Sequence, residues 1–132
     1  MGNRFERALP AGTPNLPDLI ADIERWLETA QVPPAEAARL MIAFDEILSN
    51  VVHHGGGALS VAVALDDRTL TATIEDDGPA FDPLARAAPD TDLDLDDRAV
   101  GGLGIHLVRE MMDDIAYSRD DGRNRLIFSK TF

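Results

Sequence analysis

Two carboxylates, an amide and a run of glycines carry the chemistry open to this chain. Glu46 and Asn50 are four residues apart, which on a helix puts them on one face, about 40° from each other. A carboxylate there can accept a proton from an attacking hydroxyl or water. An amide oxygen beside it is a hard ligand of the kind that suits Mg²⁺, an ion that keeps waters and bridges phosphates. Without a cavity to point into, the same pair is only a solvated polar face. Asp76-Asp77-Gly78 ends a strand-like run. Asp-Gly is an ordinary turn signal, yet a turn explains neither the following Pro79-Ala80-Phe81-Asp82 nor the long irregular stretch behind it. Gly101-Gly102-Leu103-Gly104 stands where a helix begins. Glycines allow close approach, and the free N–H groups of a helix start attract anions, so the segment suits phosphate. A flexible hinge would have the same composition, and the spacing matches neither a Rossmann nor a P-loop fingerprint.

The elements that would position these groups follow from periodicity. Arg4 to Pro10 is a short opening strand. Leu16, Leu19, Ile20, Ile23, Leu27 and Ala30 recur at three- and four-residue steps and predict a helix from about Leu16 to Ala30. Val32-Pro33-Pro34 breaks the chain, and Pro34 suits the first turn of a second helix running to about His53. Leu40, Phe44, Ile47 and Val51 make its apolar stripe, and Glu46 and Asn50 lie off it. The period then drops to two. Leu59, Val61, Val63 and Leu65 alternate with small residues, Asp66-Asp67-Arg68 turns, and Leu70 to Glu75 returns as a hairpin. Pro79 to Val100 has no period, three prolines and six aspartates, and is predicted to be a functional loop. A third helix is expected over about Leu103 to Asp114. Ala116–Ser118 and Leu126–Thr131 close the chain around Asp120-Asp121-Gly122. The order β-α-α-β-β-loop-α-β-β predicts an α+β fold, a two-layer sandwich with a mixed, mostly antiparallel sheet and helices on one face.

Composition sets the outer limits. A chain of 132 residues with 45% hydrophobic content is expected to form one domain, 1–132, with a core that needs no staples. It has no cysteine, hence no disulfide framework or thiolate metal site, which is compatible with a cytoplasmic setting. No apolar run approaches the roughly 20 residues of a membrane span, and no signal-peptide pattern opens the chain. A net charge of −12 argues against nucleic acid as a partner, because phosphate neutralisation needs a basic face. Two other patterns carry less than they suggest. Asp92-x-Asp94-x-Asp96 imitates a calcium loop but lacks the glycine and glutamate that complete one. His53 and His54, adjacent on a helix, diverge by about 100° and do not converge on a metal.

Taken in order, Glu46-x-x-x-Asn50 with His54-Gly55 after it, Asp76-x-Gly78, and Gly101-Gly102-Leu103-Gly104 resemble the ATP site of the GHKL family of gyrase, chaperone, histidine-kinase and mismatch-repair ATPases. The resemblance covers nearly the whole chain. It is strongest to the anti-sigma-factor serine kinases, small GHKL domains whose late signature is similar to Gly101 to Val108 followed by Met112-Asp113 and Tyr117. Gly122-Arg123-Asn124-Arg125-Leu126 and Lys130 look like the same group. Ala80, where GHKL sites usually have a second glycine, is a departure also found in that branch. Gyrase-type relatives are longer, and a histidine kinase is expected to need an upstream histidine-bearing segment for which these residues leave no room.

What the resemblance implies is an ATP–Mg²⁺-dependent serine kinase that phosphorylates an anti-anti-sigma-type protein and sequesters a sigma factor; a homodimer is compatible with it. Glu46 would be general base and Asn50 the Mg²⁺ ligand. Asp76 would read the adenine amino group, with Gly78 and Ala80 beside the base. Gly101, Gly102, Leu103 and Gly104 would face the phosphates at the end of an ATP lid over about 79–101. Arg98, whose planar guanidinium suits phosphate oxygens, is a candidate for the terminal phosphate. Asn124 stands where other GHKL proteins often place a threonine near the adenine-reading aspartate. The rival reading is a non-catalytic module of the same fold in which ATP only gates a partner; Glu46 favours the enzyme. A third, an interaction domain without nucleotide, makes all three motif groups coincidences.

Overall fold

Apolar residues at every second position build the sheet. In β2 (Leu59–Asp66) Leu59, Val61, Val63 and Leu65 are buried, and in β3 (Thr69–Asp76) Leu70, Ala72, Ile74 and Asp76 are buried. The small residues between them face the other side of the sheet and are half covered. The computed structural model describes residues 3–10, 16–54, 57–85 and 102–132. Around β2 and β3 it places β1 (Asn3–Leu9), α1 (Leu16–Thr29), α2 (Pro34–His54), a 3-10 turn at Pro83–Ala85, α3 (Gly102–Met111), β4 (Asp114–Asp120) and β5 (Arg123–Thr131). No helix among the described residues is long and apolar enough to cross a membrane.

The strands form one sheet in the order β1-β2-β3-β5-β4. Every neighbouring pair is antiparallel, so the mostly antiparallel sheet expected from sequence is antiparallel throughout the described residues. The reason lies in β5. β3 and β4 run the same way, but β5 inserts between them and pairs antiparallel with both. At the β4–β5 turn Asp121 (φ 51°) and Gly122 (φ 74°) are both left-handed. That is the Asp-Gly type I′ turn, whose twist matches the strands it joins.

All three helices cover one face. Leu19, Ile23 and Leu27 of α1, Leu40, Phe44, Ile47 and Leu48 of α2, and Ile105 and Val108 of α3 join the buried strand residues in one core. Phe44 meets Phe128 of β5 edge-on, with ring centres 5.2 Å apart at 65°. Truncating either ring to alanine would cost about 3–5 kcal/mol. The end of α1 is closed by a Schellman pair: Gln31 N donates to Glu28 O at 3.0 Å and Val32 N to Leu27 O at 3.1 Å. Gln31 takes the left-handed conformation there (φ 64°), where glycine is usual. Buried Val32 and Leu27 supply the apolar contact of the motif.

The third helix is shorter than periodicity implied. It stops at Met111, and β4 begins at Asp114. A contact from the far strand decides this: Asp113 Oδ2 accepts from Thr131 N at 2.6 Å, and Asp113 N donates to Ser129 O at 3.0 Å. These bonds recruit the chain to the sheet before another helical turn forms. β4 and β5 are correspondingly longer than expected.

Candidate functional site

The end of α2, the ends of β3 and β5, and the start of the following loop enclose a cleft of about 420 Å³, solvent at its mouth included. Its walls are apolar: Ile47 and Val51 of α2, Ile74, Ile105 of α3, Leu126, and Pro79, Phe81 and Pro83 of the loop. Its polar groups are few, namely Asn50, Asp76, Tyr117 and Asn124. An apolar slot with a few convergent polar groups is the ordinary form of a small-molecule site. A flat heteroaromatic ring suits it.

Strand register assembles the polar floor. Asp76 of β3 is the direct antiparallel partner of Asn124 of β5, and opposed residues carry their side chains to the same face. Both are buried, each 6% exposed. Asp76 Oδ1 accepts from Gly78 N at 2.9 Å and from Asn124 Nδ2 at 3.0 Å. No bond to Asp76 Oδ2 occurs among the described residues. Asn124 Nδ2 also donates to Pro79 O at 2.8 Å, and its Oδ1 accepts from Phe81 N at 3.1 Å and from the Tyr117 hydroxyl. Arg119 Nη1 donates to Gly78 O at 2.8 Å. Phe81 and Arg119 were not singled out in the sequence. Their part is visible only once β4 and β5 are laid beside the end of β3.

The two aspartates of the Asp-Asp-Gly run divide. Asp77 turns away from the cleft and fastens the α2–β2 connection, its Oδ1 accepting from Ala58 N at 2.6 Å. Gly57 is required at that crossing, since a Cβ on it would lie 2.1 Å from Asp77 Oδ1 and 2.8 Å from Gly78 N. Asp76 alone faces the slot. Gly78 is buried in the turn beside it, whereas Ala80 is exposed and outside the cleft lining.

The helical side is different. Asn50 is 9% exposed, lines the cleft, and its Nδ2 is buried with no hydrogen-bond partner among the described residues. Leaving such a group unpaired costs about 1–3 kcal/mol. Glu46, one turn earlier on α2, is half-buried, does not line the apolar slot, and makes no hydrogen bond or ion pair among the described residues. Gly102, Leu103 and Gly104 form the first turn of α3 rather than preceding it. Arg98, Gly101 and the aspartate run of 90–97 lie outside the described residues, as does most of the expected lid; its beginning, Pro79 to Ala85, forms the loop wall of the cleft.

Over residues 9–130 the sequence matches the family described as the histidine kinase-like ATPase domain. The chain belongs to that family. Membership of this ATPase family implies use of ATP. Two similar curated proteins are the serine/threonine-protein kinase BtrW of Bordetella bronchiseptica and the anti-sigma F factor of Clostridium acetobutylicum. The first is 33% identical over 110 residues, covering 76% of this chain and 78% of that protein. The second is 25% identical over 96 residues, covering 69% and 67%. Among solved structures, the RsbU and RsbW domains of a Mycobacterium tuberculosis protein superpose with a TM-score of 0.70 at 17% identity. That likeness concerns the fold; it covers 98% of this chain and 32% of that one, so the chain spans about a third of the other's length.

Proposed function

We propose that this histidine kinase-like ATPase domain is an ATP–Mg²⁺-dependent protein serine kinase of a partner-switching system, acting on an anti-anti-sigma-type protein and holding a sigma factor when that protein is absent. The observation that carries the reading is the cleft itself: among the described residues, a buried carboxylate at the floor of an apolar slot keeps one oxygen without a bond, and a buried amide one helical turn from a second carboxylate has no partner for its Nδ2. The names of the similar proteins, a serine/threonine kinase and an anti-sigma factor, point the same way.

In this reading the Asp76 carboxylate accepts from the exocyclic amine of adenine, and Gly78 leaves room for the base. Ala80 lies at the rim of that turn. Asn50 offers its amide oxygen to the metal, and its Nδ2, unpartnered among the described residues, is left to donate to a phosphate oxygen. Mg²⁺, when bound, supplies charge neutralisation between the phosphates. Glu46 accepts the proton of the attacking serine hydroxyl. Gly101, Gly102, Leu103 and Gly104 present backbone N–H groups to the phosphates at the start of α3, and Arg98 meets the terminal phosphate from the end of the lid.

Phosphoryl transfer from labelled ATP, with Mg²⁺, to the anti-anti-sigma-type proteins of the same organism tests the proposal. Wild type should label one of them on serine. Glu46→Gln should still bind ATP but transfer about 10²–10⁴-fold more slowly. Unchanged transfer would remove Glu46 as the base. Tight ATP binding with transfer to none of these proteins would leave the ATP-gated binding module in its place.

A further inference from the structure

Asn124 has no capacity left for a ligand. A side-chain amide offers two N–H donors and an oxygen with two lone pairs. All four positions are filled by the protein: Nδ2 donates to Asp76 Oδ1 and Pro79 O, and Oδ1 accepts from Phe81 N and the Tyr117 hydroxyl. The partners also fix which way the amide faces. Turned over, its oxygen would meet the Asp76 carboxylate and the Pro79 carbonyl, and its N–H groups would meet the N–H of Phe81. The side chain is 6% exposed, so water does not compensate a lost bond.

We propose that Asn124 is the positioning residue for base selectivity: it sets the orientation of Asp76 and of the Pro79–Phe81 wall together, and does so without touching the base. With Gly78 N it occupies one carboxylate oxygen of Asp76 and thereby aims the other at the slot. Because both of those partners donate, Asp76 is held as an acceptor, which welcomes an amino group and repels a carbonyl at the same place on the ring. The same amide grips Pro79 O and Phe81 N, and Pro79 and Phe81 line the cleft. A threonine hydroxyl at this position has a single donor and cannot bridge Asp76 and Pro79 at once. The role rests on the reading of Asp76 as the adenine acceptor.

The test is calorimetric titration of ADP and of purine riboside diphosphate, which lacks the amino group, into wild type, Asn124→Ala and Asn124→Thr. Each variant's thermal transition is recorded alongside. Wild type should prefer ADP by about tenfold or more, the worth of one buried hydrogen-bonded pair. Asn124→Ala should lose most of that preference, with ADP weakening about tenfold and the analogue less than about threefold. Asn124→Thr should fall between them. A parallel loss for both nucleotides in Asn124→Ala or Asn124→Thr would reduce Asn124 to a structural strut and overturn the proposal. A preference retained in folded Asn124→Ala would also overturn it while leaving Asp76 as the reader. No preference in wild type would overturn the reading of Asp76 and the role of Asn124 with it.

Discussion

The two ends of the cleft are finished to different degrees. At the sheet end, Asp76, Asn124, Tyr117, Gly78 and Phe81 close on one another, and the Asn124 amide has all of its hydrogen bonds made by protein. At the helical end, Asn50 Nδ2 is buried with none, and Glu46 is half-buried without a partner among the described residues. A satisfied buried network is rigid and specifies one geometry. An unsatisfied group stores free energy that a ligand can release. In the proposed reading the sheet end is a ready-made receptor for a base, and the helical end is where ions and phosphates would supply the partners that the protein does not.

Matched apolar substitutions at the two asparagines test the contrast with the largest effects. Asn124→Leu removes a partner from the buried Asp76 carboxylate and breaks three part-buried bonds, to Pro79 O, Phe81 N and the Tyr117 hydroxyl, and should destabilise the protein by at least about 2 kcal/mol. Asn50→Leu removes a group that lacks a partner among the described residues, so it should leave the stability of the nucleotide-free protein unchanged or raise it by up to about 1 kcal/mol, on the order of 3–6 °C in Tm. The same substitution should abolish the stabilisation that Mg-ATP confers. Thermal melts with and without nucleotide measure both. Equal destabilisation by the two leucines would erase the distinction between the ends.

A smaller effect comes from the junction of α3 and β4, which is closed by a charge as the sheet end is closed by an amide. The Thr131 N–H holds the exposed Asp113 carboxyl below the usual carboxylate range; some desolvation opposes this and Lys130 assists it. A folded-state pKa below the unfolded one adds stability above the ordinary carboxylate pKa, and that stability disappears as pH falls through the lowered value. Asp113→Asn keeps an oxygen for Thr131 and imitates the protonated side chain. Wild type should melt above the variant at pH 7, and the two should converge below about pH 4. A gap as wide at pH 3 as at pH 7 would mean that the charge has no part in ending the helix.

The smallest expected effect lies far from the cleft. Gln31→Gly relieves a left-handed residue in the α1 cap, and after the extra entropy of glycine the gain should be about 0.5 kcal/mol. Chemical denaturation resolves it. A loss instead would show that Gln31 contributes contacts worth more than its strain.

How much of this was legible in the sequence depends on the range of the interaction. Period-two alternation from Leu59 to Leu65, the Asp-Gly turn at Asp121-Gly122 and the Pro33-Pro34 break are local, and the elements they imply are present. The early end of α3 was not legible, because the bond that stops it comes from Thr131, 18 residues on. Nor did the sequence decide which of Asp76 and Asp77 faces the cleft. That depends on Gly57 and Ala58 crossing beneath Asp77, a packing fact with no local signal. The position of Asn124 hinted at proximity to Asp76, but its saturation follows only from register across strands 48 residues apart. Glu46 and Asn50 were found by spacing, and spacing could not show that Asn50 is buried without a partner while Glu46 stays outside the slot.

In the proposed function this cleft receives the adenine of ATP through Asp76. Calorimetric titration of Mg-ATP into wild type and Asp76→Asn tests it most directly. Asn at this position replaces an acceptor oxygen by a donor, so wild type should bind and the variant should bind about tenfold or more weakly. Equal affinity in the two proteins, or no binding by wild type, would contradict it.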